Sequence, residues 1–181
     1  QNLVMEQGVW STYRTGCQVA QPHLDELSER MTWLEQQSLS QPLVHIVDRE
    51  ADSIAHLRAW NEAQQRFVIR AKEGRIVQYA GESLSLRAVA ERLTYQHARD
   101  IEYQDKTAVQ KMAGTTIVID RPAKPKRTHA NGDRLAPVPG EPLSVRLIVS
   151  RIEDAHGNLI AIWYLLSNVD AGVPDERVAL W

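Results

Sequence analysis

The chain has 181 residues, 43% hydrophobic and 24% charged, which is the composition of an ordinary globular protein able to bury a core of its own. Its formal net charge of -2 is unlike the strongly basic balance of a dedicated nucleic-acid binder, and no apolar run approaches the ~20 residues that span a bilayer. Cys17 is the only cysteine, which excludes an internal disulfide and a multi-cysteine zinc site and suits a reducing cytosol.

Leu3 to Trp10 alternates loosely and is expected as a strand. After Pro22, the residues Leu24, Leu27, Met31 and Leu34 recur at helical spacing, with Pro22 in the first turn where a helix tolerates it. Pro42 breaks the chain before Leu43-Val44-His45-Ile46-Val47, a run without polar alternation that reads as a strand buried on both faces. A helix carrying Ile54, Leu57 and Trp60 follows, and then a strand over Arg66 to Arg70. Alternation of helix and strand is the pattern of an α/β layer.

Past Lys72 the texture changes. A short helix is expected over Leu86 to Leu93, capped by Ser85. Strands are expected at Asp100 to Tyr103, Thr115 to Ile119, Leu143 to Ile152 and Leu159 to Ser167. The last two flank the turn-rich segment Glu153 to Asn158 and should form a hairpin, with Val145, Leu147 and Val149 on one face and Ser144, Arg146 and Ser150 mostly on the other. Neither end reads as a natural terminus: Gln1 is not an initiator Met, and Pro174 to Trp181 looks like the opening of a helix.

Asp48 carries the most chemical information, because it stands at the carboxyl end of the expected buried strand, just before a helix. In open α/β sheets that rim is where ligands and catalytic groups collect. A carboxylate there can contribute to a Mg²⁺ site, or it can cap the following turn by accepting a backbone N–H; the two roles are compatible. Arg49, Glu50 and Asp52 thicken the cluster, either as part of such a site or as a solvated first helical turn favoured by the helix dipole. Arg121, Lys124, Lys126, Arg127 and Arg134 form a basic stretch that reads as a solvated loop or a phosphate-binding surface. The six histidines are scattered without metal-ligand spacing, and there is no phosphate-binding glycine loop or Gly-x-Ser-x-Gly elbow.

The block Val44 to Asp52, ending Asp48-Arg49-Glu50-Ala51-Asp52, resembles bacterial insertion-sequence transposases of the IS-four family. These are Asp-Asp-Glu enzymes with a ribonuclease-H-like core. Two further segments match in order: Arg66-Phe67-Val68-Ile69-Arg70-Ala71-Lys72, and Ile162-Trp163-Tyr164-Leu165-Leu166-Ser167-Asn168 after a long insertion. The resemblance implies an α/β fold, namely part of a ribonuclease-H-like mixed sheet with flanking helices, interrupted by a mostly antiparallel β insertion subdomain. It divides the chain into core (1–75), insertion (76–168) and the start of a returning core helix (169–181).

The resemblance also implies roles. Asp48 corresponds to the second catalytic aspartate, a ligand for Mg²⁺ or Mn²⁺ in a two-metal site for in-line displacement at phosphorus. Arg70 and Lys72 correspond to basic residues that hold transposon-end DNA, and Trp163 to an aromatic on which a flipped base stacks during hairpin formation. Arg49, Glu50 and Asp52 support the motif. Transposon-end and target duplexes are the implied partners, with a homodimer in the full-length protein, no membrane, and a cytoplasmic, nucleoid-associated location. The family's first aspartate and its glutamate have no counterpart between Gln1 and Trp181, so the isolated chain is expected to be catalytically inert. Two other readings stand beside this one: a non-catalytic DNA-binding or interaction remnant of a transposase in which Asp48 is only a cap, and an unrelated metal-dependent phosphoesterase using Asp48 and Glu50 together.

Overall fold

Most expected elements form, with the strand expected at Asp100 to Tyr103 extended back to Gln96 and that expected at Thr115 to Ile119 extended back to Lys106. In the computed structural model, which describes residues 23–37, 39–124 and 136–179, the chain begins with α1 (His23–Glu35), β1 (His45–Val47), a 3-10 turn (Arg49–Ala51), α2 (Ile54–Glu62) and β2 (Phe67–Ala71). It continues through β3 (Ile76–Tyr79), β4 (Glu82–Ser85), α3 (Leu86–Glu91), β5 (Gln96–Tyr103) and β6 (Lys106–Ile119). It ends with β7 (Leu143–Glu153), β8 (Leu159–Ser167) and α4 (Asp175–Ala179). The strand expected at Leu3 to Trp10 lies outside the described residues, as does Cys17. Two compact units divide the chain at Ser40 and Gln41; α1 belongs to the first, and the rest described below belongs to the second.

The strands form one sheet in the order β1-β2-β8-β7-β6-β3-β4, with β5 paired to β6. Among the described residues only β1 and β2 run parallel; the other pairings are antiparallel. The architecture is therefore mixed α/β, an open and mostly antiparallel sheet with few helices. The sheet continues without interruption across position 75, because β2 pairs with β8 from Val68↔Ser167 to Ala71↔Tyr164.

Two cores form on the two faces. On one, the Trp60 ring of α2 packs against Phe67 with centroids 6.2 Å apart, and Leu57, Phe67, Ile69, Leu147 and Leu166 are fully buried. On the other, Val68, Met112, Ile148, Val169 and Val178 form a cluster joined by Val44, Leu165 and Val173. Here α4 lies so close to β6 that a Cβ at Gly114 would stand 1.8 Å from an Asp175 carboxylate oxygen. A side chain at position 114 would require the Asp175 carboxylate to move aside.

Several expectations need correction. β1 is not buried on both faces: His45 is buried, but Ile46 is 57% exposed. β1 ends the strand order with β2 as its one neighbour among the described residues, and the face that carries Ile46 is open to solvent. In β7 the faces divide as expected, with Val145, Leu147 and Val149 on one and Ser144, Arg146 and Ser150 on the other, and the second face carries the buried Ile148 and Ser150 as well. The hairpin β3–β4 was not anticipated. Among the described residues, no helix is long and apolar enough to cross a membrane.

Candidate functional site

The three segments that carry the sequence motifs become neighbours in space. β1, β2 and β8 are consecutive in the sheet, and Asp48 follows directly on β1 at the carboxyl end of its parallel pairing with β2. In the register, Ile46 lies beside Val68 and Arg70 beside Leu165. Side chains two residues apart share a face, so Asp48, Arg70 and Trp163 all project from the same face. Arg70 and Trp163 are diagonal cross-strand neighbours, within reach for long and aromatic side chains.

The contacts follow that geometry. Arg70 Nη1 lies 3.9 Å from Asp48 Oδ1, with the two side chains 43% and 66% exposed. The same guanidinium carbon lies 5.9 Å from the centre of the Trp163 ring, within the range of a cation–π contact. Trp163 in turn meets Tyr103 edge to face, with centroids 6.4 Å apart and planes at 62°. Carboxylate, guanidinium, indole and phenol thus form a continuous chain of contacts on a partly solvated surface.

Asp48 also caps the 3-10 turn, its Oδ1 accepting the Arg49 N–H at 2.7 Å. Arg49 and Glu50 are exposed. Asp52 behaves differently from both. Its side chain is 2% exposed and pairs with Arg75, while its other oxygen accepts the Lys72 backbone N–H at 3.0 Å. Asp52 therefore ties the turn after β1 to the end of β2, fixing the rim on which Asp48 and Arg70 stand. Lys72 is exposed beyond the end of β2.

At the other end of β2, Asn168 performs a matching task. Its Oδ1 accepts the Phe67 N–H at 2.8 Å, and its Nδ2 donates to the Gln65 carbonyl at 2.9 Å and to Asn61 Oδ1 at 3.2 Å. The motif residues thus fall into two groups: Asp52 and Asn168 hold strands in place, and Asp48, Arg70 and Trp163 face solvent. In the basic stretch, Arg121 and Lys124 are exposed, and the Arg121 carbonyl accepts from Arg58; Lys126, Arg127 and Arg134 lie outside the described residues.

Asp48 offers a divalent cation one carboxylate. Mg²⁺ commonly takes one or two protein carboxylates, with water and substrate phosphate completing its shell, so Asp48 fits as a single ligand. Among the described residues no group of three or more His, Cys, Asp or Glu side chains is disposed to hold a metal ion. Tyr103 was missed in the sequence. Its only signal was an aromatic closing a strand before Gln104 and Asp105, and its partner lies sixty residues further on.

Fold and surface together define a mixed α/β protein whose open sheet carries an acidic, cationic and aromatic cluster at the rim of the parallel β1–β2 pair. The chain matches no protein-family model, and no curated protein matches it.

Proposed function

We propose that this chain is part of a DNA transposase of the Asp-Asp-Glu class, that β1 and β2 belong to a ribonuclease-H-like core, and that DNA binds along Asp48, Arg70 and Trp163. The observation that carries the reading is the meeting of these three side chains, which come from three separate motif segments, in one chain of contacts on one face. Arg70 presents a planar set of N–H donors suited to phosphate oxygens, and Lys72 adds a point charge one step beyond the strand. Trp163 offers a π face on which any base can stack, worth ~1–3 kcal/mol per base in such sites.

Asp48 is the residue that would hold Mg²⁺ or Mn²⁺, and that ion, when bound, would stabilise negative charge on the phosphate oxygens. Arg70 would position the phosphate beside Asp48, and Trp163 would fix the neighbouring base. A single carboxylate does not organise a two-metal site, so strand cleavage requires carboxylates from outside the described residues. The chain by itself is therefore a DNA-binding unit without cleavage activity. A second reading, a non-catalytic remnant, draws on the capping bond from Asp48 to Arg49 N–H, which gives that carboxylate a structural task without any metal.

The test is the affinity of the chain for duplex DNA at several salt concentrations. Wild type should bind with a negative log–log salt slope, and Arg70→Ala or Lys72→Ala should weaken binding and reduce the slope by about 1 each. Absence of binding, or binding unchanged in both variants, overturns the proposal. Cleavage by the chain alone with Mg²⁺ would contradict the claim that further carboxylates are required.

A further inference from the structure

Two arginines with largely buried side chains, Arg75 and Arg146, each face a carboxylate, Asp52 and Asp175 respectively. Arg58 does not. It stands in the middle of α2 and is 9% exposed, and among the described residues no acidic side chain pairs with it. Its Nη2 donates to the Arg121 carbonyl at 3.1 Å, and its Nε–H is enclosed with no acceptor. Taking a cation out of water costs far more than one neutral carbonyl returns.

The surroundings of Arg58 place it at the root of the excursion between β6 and β7. The two limbs of that excursion are joined by the bridge between Ala123 and Val138, and the guanidinium touches both. On the first limb it meets the Arg121 carbonyl. On the second it lies against Gly140, where a Cβ would stand 2.8 Å from Nη1 and 3.2 Å from Cδ, so a side chain there would push the guanidinium aside. Arg121, Lys124 and Gly140 are exposed, which sets the guanidinium at the foot of a cationic surface segment. Of the acidic neighbours in sequence, Asp120 accepts from Gln78 at 2.9 Å and Glu141 is exposed; neither pairs with Arg58. The contact of Trp60 with Phe67 puts α2 on the sheet face opposite to that of Arg70. The place is therefore separate from Asp48, Arg70 and Trp163.

We infer that Arg58 is the floor of an oxyanion site at the root of this excursion, and that the anion is a phosphate group. The planar guanidinium fork matches the paired oxygens of a phosphate or a carboxylate. The charges of Arg121 and Lys124 on the first limb decide between them. They favour a ligand with more than one negative charge, a free phosphate dianion or a run of backbone phosphodiesters, over a lone carboxylate. The guanidinium is held between the Arg121 carbonyl and Gly140 before any ligand arrives, so binding sacrifices little side-chain freedom. Sequence left the basic stretch from Arg121 as either a solvated loop or a phosphate-binding surface. A buried cation 63 positions away, bonded to that stretch, favours the second. The inference does not depend on the DNA-binding reading of the opposite face.

The test follows the Arg58 Nε–H resonance of the isotope-labelled whole chain during titration with inorganic phosphate, with acetate, and with a short DNA duplex, each at constant ionic strength. Inorganic phosphate should shift that resonance saturably and acetate should not. A shift with the duplex alone assigns the anion to a nucleic-acid backbone, and a shift with inorganic phosphate assigns it to a free phosphate; either supports the site. No shift with phosphate or duplex, or an equal shift with acetate, overturns it. Thermal melting gives a second readout. At tenfold excess over its Kd, whichever of the two phosphate sources shifts the resonance should raise the wild-type melting temperature by about 3–6 °C. Phosphate also stabilises proteins generally through exclusion from their surface, so Arg58→Met supplies the reference and should show only that general effect. Gly140→Ala, which keeps the charge but displaces the guanidinium, should lose most of the specific response. An equal response in wild type and Arg58→Met overturns the inference. Should Arg58→Met fail to fold, the wild-type resonance and Gly140→Ala still decide it.

Discussion

Arg70 and Trp163 meet across the β2–β8 pair, the guanidinium carbon 5.9 Å from the indole centre, although 92 residues lie between them in the chain. Arg70 is 43% exposed and its link to Asp48 spans 3.9 Å, so its interactions are solvent-screened. Arg70→Ala should cost less than about 1 kcal/mol in denaturant unfolding. A larger loss would mean that the residue supports the fold, and its DNA-binding phenotype would need a different explanation.

Asn168 presents the opposite case. It joins the start of β2, the Gln65 carbonyl and Asn61, and its removal leaves a strand-end N–H and a carbonyl without these partners. Asn168→Ala should destabilise the chain by about 1–3 kcal/mol, measured as a lower urea midpoint. Asn168→Asp keeps the acceptor for Phe67 N–H and should recover part of the loss.

The buried pair Asp52–Arg75 anchors the rim of the site. With side chains 2% and 8% exposed, removal of one partner leaves a charge in a poorly solvated place. Asp52→Ala should cost about 3–5 kcal/mol, and amide exchange at Lys72 should accelerate because its N–H loses the Asp52 acceptor. Unchanged protection at Lys72 would count against this anchoring role.

The β5–β6 turn can be improved. Gln104 and Asp105 occupy positive φ, where Asn and Gly are favoured in two-residue hairpin turns. The double change Gln104→Asn with Asp105→Gly should raise stability by about 0.5–1 kcal/mol, seen as a higher melting temperature, and should leave the Tyr103–Trp163 contact intact.

Asp175 gives a pH dependence of definite sign. Burial over Gly114 pushes its carboxyl above the ordinary aspartate value, opposed by Arg146 and assisted by Glu176. A raised acid binds its proton more tightly in the folded state, so stability from this group is greatest at low pH and declines as pH rises from the ordinary aspartate value through the raised one. Asp175→Asn should flatten that decline in unfolding experiments across the acid range. A wild-type profile identical to that of the variant would contradict it.

Much of the fold was legible from periodicity and turn chemistry. The β7–β8 hairpin was readable because Asp154, Gly157 and Asn158 make a self-contained turn, with Asp154 Oδ1 accepting the His156 and Asn158 N–H groups at 2.8 Å each and Gly157 at φ 82°. Ser85 was readable as a cap and accepts the Ala88 N–H at 3.1 Å. The β3–β4 hairpin escaped because its strands have four residues each and its turn, Ala80-Gly81, is a weak signal despite positive φ at both positions. Ile46 misled because an apolar run reports composition and not what packs over the sheet; His45 is buried and Ile46 is exposed on the opposite face of the same strand. Asp48 stood out by its place at the end of a strand, and Arg70 and Trp163 through motif resemblance, whereas the Tyr103–Trp163 contact joins residues sixty positions apart that no local pattern links.

The most direct measurement is an NMR titration of the isotope-labelled chain with a short DNA duplex at moderate salt. The largest shifts should fall on Arg70, Lys72 and the Trp163 indole N–H, with Glu82 to Ser85 in β4 unaffected. Shifts confined to other surfaces, or none at all, would contradict a DNA-binding role for this face of the sheet.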